Sequence, residues 1–298
     1  MPMNPEAVLG FHFPPVRQTL TDTDCMLYAL SIGLGSDPMR EDELGYVFEK
    51  DLRTFPTMPV VLGHPGTWYK HPGLGITASM IVHGTQRIEI HSLMPPDASL
   101  LVNHRNIEVT DKGADKGAIF VTERTLTDES TGRVFARLEN ATFCRADGGF
   151  GGNPQSTREF APLPEGPPDV SVELPTALNQ ALYYRLNGDR NPLHASPAFA
   201  AKAGFPRPIL HGLCSFGIAG HALLRAGVQS APLRMLEVRF SKPVFPGETL
   251  RFDIWKEGQG QYAFRAHVDA RKLVVLDRGR ASFGDFAPPE SPSERAQP

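Results

Sequence analysis

In LEVRFSKPVFPGETL (236–250), Leu236, Val238 and Phe240 alternate with Glu237 and Arg239. That period of two is what a half-buried antiparallel strand requires. PGET here, and PPDAS earlier in the chain, supply turns. RFDIWKEG, QYAFRAHVDA, KLVVLD and RGRASF follow and read as hairpin-linked strands. One segment breaks the alternation. In HGLCSFGIAGHALLRAG (211–227), Leu213, Phe216, Ile218, Ala219, Leu223 and Leu224 leave almost no continuous polar face. A helix apolar nearly all round is a buried helix.

The pattern occurs twice. QRIEIHSLMPPDASL (86–100) aligns without a gap with 236–250 at an offset of 150, so that Ile88 meets Val238, Ile90 meets Phe240, Pro96 meets Pro246 and Leu100 meets Leu250. Residues 120–143 resemble 262–283 in the same order, each ending in Ala, a hydroxyl residue and Phe. Shared order implies an internal duplication. The expected organisation is a first domain over 1–150, a linker over 151–169 rich in Gly, Pro and polar residues, a second domain over 170–286, and a tail over 287–298. Each domain is expected to wrap an antiparallel sheet around a helix, an α+β arrangement. In the first, FPTMPVVLGHPG (55–66) carries three prolines where the second has its helix. That helix should be short or missing, and the space it leaves is a candidate ligand groove. The groove is expected to be roomy.

Composition removes several classes of function. The 298 residues are 41% hydrophobic and 21% charged, with net charge −3 and pI about 6.4. Lys and Arg are scattered, so no basic field is available for nucleic acid. No apolar run reaches the roughly 18 residues needed to cross a bilayer. The first residues lack the pattern of a signal peptide and the last, ERAQP, are not a peroxisomal address. Cys25, Cys144 and Cys214 form an odd, sparse set that fits buried thiols in a reducing compartment. A cytoplasmic protein is the expectation.

The chemistry concentrates in NGDRNPLH (187–194), where Asp189, Arg190, Asn191 and His194 share a turn with Gly188 and Pro192. Such residues also make ordinary solvated turns. YRLNGDRNPLH (184–194), followed by FPRPILHGLCSFG (205–217), however resembles the hydratase 2, or MaoC-like, family of (R)-specific enoyl-CoA hydratases. LYALSIGLGSDP (27–38), IVHGTQRIEI (81–90) and TDKGADKG (110–117) are similar to segments of its two-domain, eukaryotic-type members, so the resemblance spans nearly the whole chain.

The resemblance implies a double hot-dog fold, two sheet-wrapped helices side by side in one chain. It implies addition of water to a trans-2-enoyl-CoA, giving a (3R)-3-hydroxyacyl-CoA, with no metal or redox cofactor. Asp189 and His194 match the catalytic pair and would hold one water between them. Asn191 would orient them, Pro192 would stiffen the turn, and Gly212 would offer its N–H to the thioester oxygen as negative charge builds there. His83, Gly84, Lys112 and Phe240 match positions that contact the acyl-CoA, and Arg190, Pro192 and Leu193 are counted with them. Each has a plainer alternative: Gly212 as a helix start, Lys112 as a solvated lysine, Phe240 as core, His83 as a structural histidine.

His211 and Cys214 have the HxxC spacing of a metal half-site, but no second pair follows to complete a closed site. There is neither a P-loop nor a GxSxG elbow. A thioesterase or a non-catalytic acyl-CoA binding module on the same fold are the rival readings. Apart from the acyl-CoA, the expected partners exclude nucleic acid and membrane and allow a homodimer.

Overall fold

The computed structural model describes residues 3–152, 154, 160–229 and 231–286. Part of the expected linker (153 and 155–159) and the whole expected tail (287–298) lie outside the described residues. The first half runs α1 (Pro5–Leu9), β1 (Val16–Leu20), α2 (Asp22–Ser31), α3 (Glu41–Val47), β2 (Ile81–Ile90), β3 (Ala98–Asp111), β4 (Ala118–Asp128) and β5 (Val134–Cys144). The second half runs β6 (Val170–Pro175), α4 (Gln180–Tyr184), α5 (Pro197–Lys202), α6 (Gly212–Arg225), β7 (Leu233–Phe240), β8 (Thr249–Gly258), β9 (Gln261–Val268) and β10 (Leu273–Phe283).

All ten strands form one sheet in the order β1-β3-β4-β5-β2-β7-β10-β9-β8-β6. Read outward from the middle, β2-β5-β4-β3-β1 and β7-β10-β9-β8-β6 are the same topology, so the duplication seen in the sequence is present in space. The two halves join where β2 pairs antiparallel with β7, from Thr85 opposite Arg239 to Glu89 opposite Met235. Arg87 faces Glu237, residues that are themselves 150 apart. The local two-fold relating the halves therefore passes between these two side chains, and Arg87 Nη1 donates to Glu237 Oε2 across it at 2.8 Å.

The alternation in β7 is realised: Leu236 and Val238 are fully buried while Glu237 and Arg239 keep solvent access. The buried face packs on α6, whose residues from Cys214 to Leu223 are all buried. Its other side is covered by the first half. A Cβ on Gly217 would lie 2.6 Å from Ile32, and one on Gly220 2.8 Å from Thr57, so glycine lets these neighbours close on the helix. Glu43 of α3, itself fully buried, accepts hydrogen bonds from His221 Nε2 (2.8 Å), Arg225 Nε and Gly35 N (2.7 Å), tying α3 to α6. One apolar core thus runs through both halves.

At the place corresponding to α6, the first half has no α-helix. Two 3-10 turns, Met58–Val61 and Trp68–Lys70, stand there instead, in a stretch punctuated by Pro59, Pro65 and Pro72. Proline removes the donor that each further helical turn would need.

Reversing the charge at the seam tests its contribution. Glu237→Arg sets two guanidinium groups face to face and should lower stability by about 1–3 kcal/mol. Urea unfolding reads this directly, and an unchanged midpoint would mean that the pair adds nothing to what the strand ladder and the shared core supply.

Candidate active site

The site is built by the chain that leaves α4. A 3-10 turn (Arg185–Asn187) ends at Gly188, whose φ of 118° is a conformation that L side chains rarely adopt. Asp189 follows, and its Oδ1 accepts from Asn191 N at 3.1 Å. The Asn191 side chain accepts from Leu193 N at 3.1 Å and caps the next 3-10 turn, Pro192–His194. Asn191 thus shapes the turn that separates Asp189 from His194.

His194 is buried, with 8% of its surface exposed. Its Nδ1 lies 2.9 Å from the Ile209 carbonyl. A carbonyl can only accept, so Nδ1 carries the proton and Nε2 keeps its lone pair. His211 lies against it, the two rings stacked at 3.7 Å with 26° between their planes. His211 Nε2 donates to the Asp189 carbonyl at 3.1 Å, while its Nδ1 is buried with no partner among the described residues. Burial pushes the His194 imidazole below its ordinary pKa; burial, with His194 alongside, pushes His211 down to about 4. Both rings are neutral at pH 7. Asp189, His194 and His211 bring potential ligand atoms within 4.8 Å of one another.

His211 also caps α6 by position, without a side-chain bond to the helix. The first N–H groups of a helix have no internal partner, and among the described residues Gly212 N and Leu213 N find no other backbone acceptor. Gly212 backs onto Phe240, where a Cβ would touch the ring at 3.4 Å, and Phe240 packs on His83 at 4.7 Å.

Two cavities meet at His83. The inner one, about 230 Å³, occupies the space left by the absent first-half helix and is lined by Asp189 and Leu213 on one side and by Val60, Trp68, His83 and Arg124 on the other. Trp68 and Tyr69 form part of its wall. The outer one, about 900 Å³, is an open groove along β2 holding His83, Gly84, Lys112, Lys116, Arg239 and Phe240. Gly84 sits at a bulge in β2 between His83 and Thr85, where a Cβ would come within 3.1 Å of the Ala141 carbonyl.

The structure therefore gathers Asp189, His194, Asn191 and Gly212 at one place, and His83, Gly84, Lys112 and Phe240 along one adjoining groove. Arg190, Pro192 and Leu193 line neither cavity, and Arg190 and Pro192 are exposed; of the first group Asp189 stands in the cavity wall, while His194, Asn191 and Gly212 lie behind it. The HxxC half-site does not form, since Cys214 Sγ approaches the Ser31 carbonyl at 3.5 Å while His211 joins the catalytic-type pair. His211 is the residue the sequence reading missed; its place directly before Gly212 was the available signal. Arg124, in the cavity wall, gave none.

Comparison with known proteins agrees with this geometry. Residues 19–146 match the MFE-2 hydratase 2 N-terminal domain, and residues 159–277 match the MaoC like domain. An enoyl-CoA hydratase of Mycobacterium tuberculosis is 39% identical over 93% of this chain and 97% of its own length. The peroxisomal enoyl-CoA hydratase 2 of Arabidopsis thaliana is 35% identical over 92% of this chain and 93% of its own. The crystal structure of a MaoC-like dehydratase from Phytophthora capsici superposes with a TM-score of 0.81 at 32% identity, covering 95% of this chain and 99% of that one. Fold and site together define a double hot-dog protein of the MaoC-like class. Within that class, the chain belongs to the enoyl-CoA hydratase 2 family.

The buried imidazoles make acid sensitivity predictable. Burial holds both His83 and His104 down to about 4, against an ordinary value of 6.5. Between those values the unfolded chain binds protons that the folded one refuses, so stability is complete above about pH 6.5 and falls as the pH drops towards 4. Denaturant midpoints measured across that range should decline steadily; a flat profile would show that these rings are not held neutral.

Proposed function

We propose that this protein adds water to the double bond of a trans-2-enoyl-CoA, forming a (3R)-3-hydroxyacyl-CoA, in fatty-acid or related acyl-CoA metabolism. The observation that carries the reading is the convergence of Asp189, the free Nε2 lone pair of His194 and the open N-terminus of α6, with Asp189 and Leu213 in the wall of one cavity. Asp189 and His194 grip a water. His194 Nε2, neutral and unprotonated, takes a proton from it as its oxygen bonds to C3. Electron density moves to the thioester oxygen, where the Gly212 N–H and the positive end of α6 stabilise it. The proton that His194 took then reaches C2 and restores the carbonyl, so the product contains the elements of one water. These side chains and one backbone amide complete the cycle; the reading asks for no metal or redox cofactor.

The CoA portion would lie in the outer groove, where Lys112, Lys116 and Arg239 present positive charge to its phosphates. His83 and Phe240 would mark the passage from groove to cavity, with Phe240 bracing Gly212. Membership of the hydratase 2 family supports both the reaction and its (3R) outcome. Among the described residues no helix is long and apolar enough to cross a membrane.

Crotonyl-CoA and a longer enoyl-CoA test the reading, with loss of conjugated absorbance followed alongside release of free thiol. Absorbance loss without thiol is expected; thiol release would instead identify a thioesterase, and binding without either a non-catalytic module. Asp189→Asn and His194→Ala should each lower kcat by about two to four orders of magnitude while thermal unfolding stays nearly unchanged.

A further inference from the structure

The inner cavity has an unusual wall for a space meant to receive an acyl chain. Phe120, Thr122 and Arg124 of β4 line it, as do Leu138, Asn140 and Thr142 of β5. Most of those positions are polar, and one is a cation. Arg124 lies on the inward face of its strand, and its guanidinium donates to the Leu62 carbonyl and, at 2.9 Å, to the Val60 carbonyl. Of the five N–H groups of a guanidinium, those two bonds leave others free. No carboxylate among the described residues forms an ion pair with it. Asp189, which lines the same cavity, is exposed at the other side and makes no such pair.

His104 stands directly opposite Arg124 on the neighbouring strand β3 and lines the same cavity. Both of its ring nitrogens are buried without a well-formed hydrogen bond among the described residues. Burial, with Arg124 close by, keeps this imidazole neutral, and burial pulls Arg124 itself down to about 10. A desolvated cation without a counter-charge costs several kcal/mol. A neighbouring buried imidazole that lacks a well-formed hydrogen bond adds to that cost. A hydrocarbon tail would leave both costs standing. An anionic oxygen-bearing group would offset both, accepting from Arg124 and from His104.

We propose that the inner cavity selects enoyl-CoA substrates whose acyl group ends in a carboxylate, with Arg124 as the residue that recognises it and His104 as a second donor. The compact volume suits this, because a short or medium chain suffices to bring a terminal carboxylate to the wall. The proposal rests on the hydratase reading only for the identity of the CoA-bound end.

The test offers wild-type protein matched trans-2-enoyl-CoA pairs of six, eight and ten carbons, one member ending in a methyl group and the other in a carboxylate. At one chain length or more, kcat/KM for the carboxylate member should exceed that of its partner by about ten- to a hundredfold, the yield of one charge-assisted contact. Arg124→Met should collapse that ratio, and Arg124→Lys, which keeps the charge and is the milder change for the 60–62 turn, should retain part of it. Calorimetry with the corresponding saturated acyl-CoA pairs reads the same preference without turnover. Preference for the methyl-ended member at every length, or an Arg124→Met protein with an unaltered ratio, overturns the assignment and leaves the hydratase reading standing. Turnover of neither member, alongside a carboxylate preference in calorimetry, overturns the hydratase reading and leaves this one standing.

Discussion

A helix with no polar face has to be enclosed on every side, and α6 sets that constraint for the whole molecule. Its buried run from Cys214 to Leu223 cannot be covered by one curved half-sheet. The second half supplies the sheet on one side; α2 and the 55–61 stretch of the first half supply the other, brought close by Gly217 and Gly220. Neither half could therefore finish its core alone. The enclosure also carries the start of α6 to the boundary between halves, where Leu213 lines the cavity walled largely by the first.

The same enclosure sets the chemistry. His194 and His211 are neutral because they are taken out of water, and their tautomers are settled by backbone carbonyls at Ile209 and Asp189. Stacking of one ring on the other limits how far either can swing. Asp189 keeps its exposure and faces the cavity across the stack.

Much of this was legible along the chain because it is local. Strand alternation, the apolar helix and the turn chemistry of 187–194 each depend on neighbours within a few residues, and the repeat at 150 foretold the matching strand orders. What tertiary packing decides was not legible. His211 had spacing suggestive of a metal pair with Cys214, and only the fold turns one towards His194 and the other towards Ser31. Arg190 looked like part of a reactive cluster, yet the turn faces it outward. On β4, Thr122 and Arg124 follow the ordinary alternation of a strand with a solvated face, and that face turns out to be a cavity wall.

The pairing of Arg87 with Glu237 has a consequence for how such a molecule can assemble. On the axis of a true homodimer, a residue meets its own copy, and complementary charge is impossible there. Two first halves brought together in this way would oppose arginine to arginine; two second halves would oppose glutamate to glutamate. Tethering unlike halves in one polypeptide escapes that symmetry. It makes the mixed partnership self-selecting and frees each copy to diverge, one keeping its central helix and the other opening a cavity in that place.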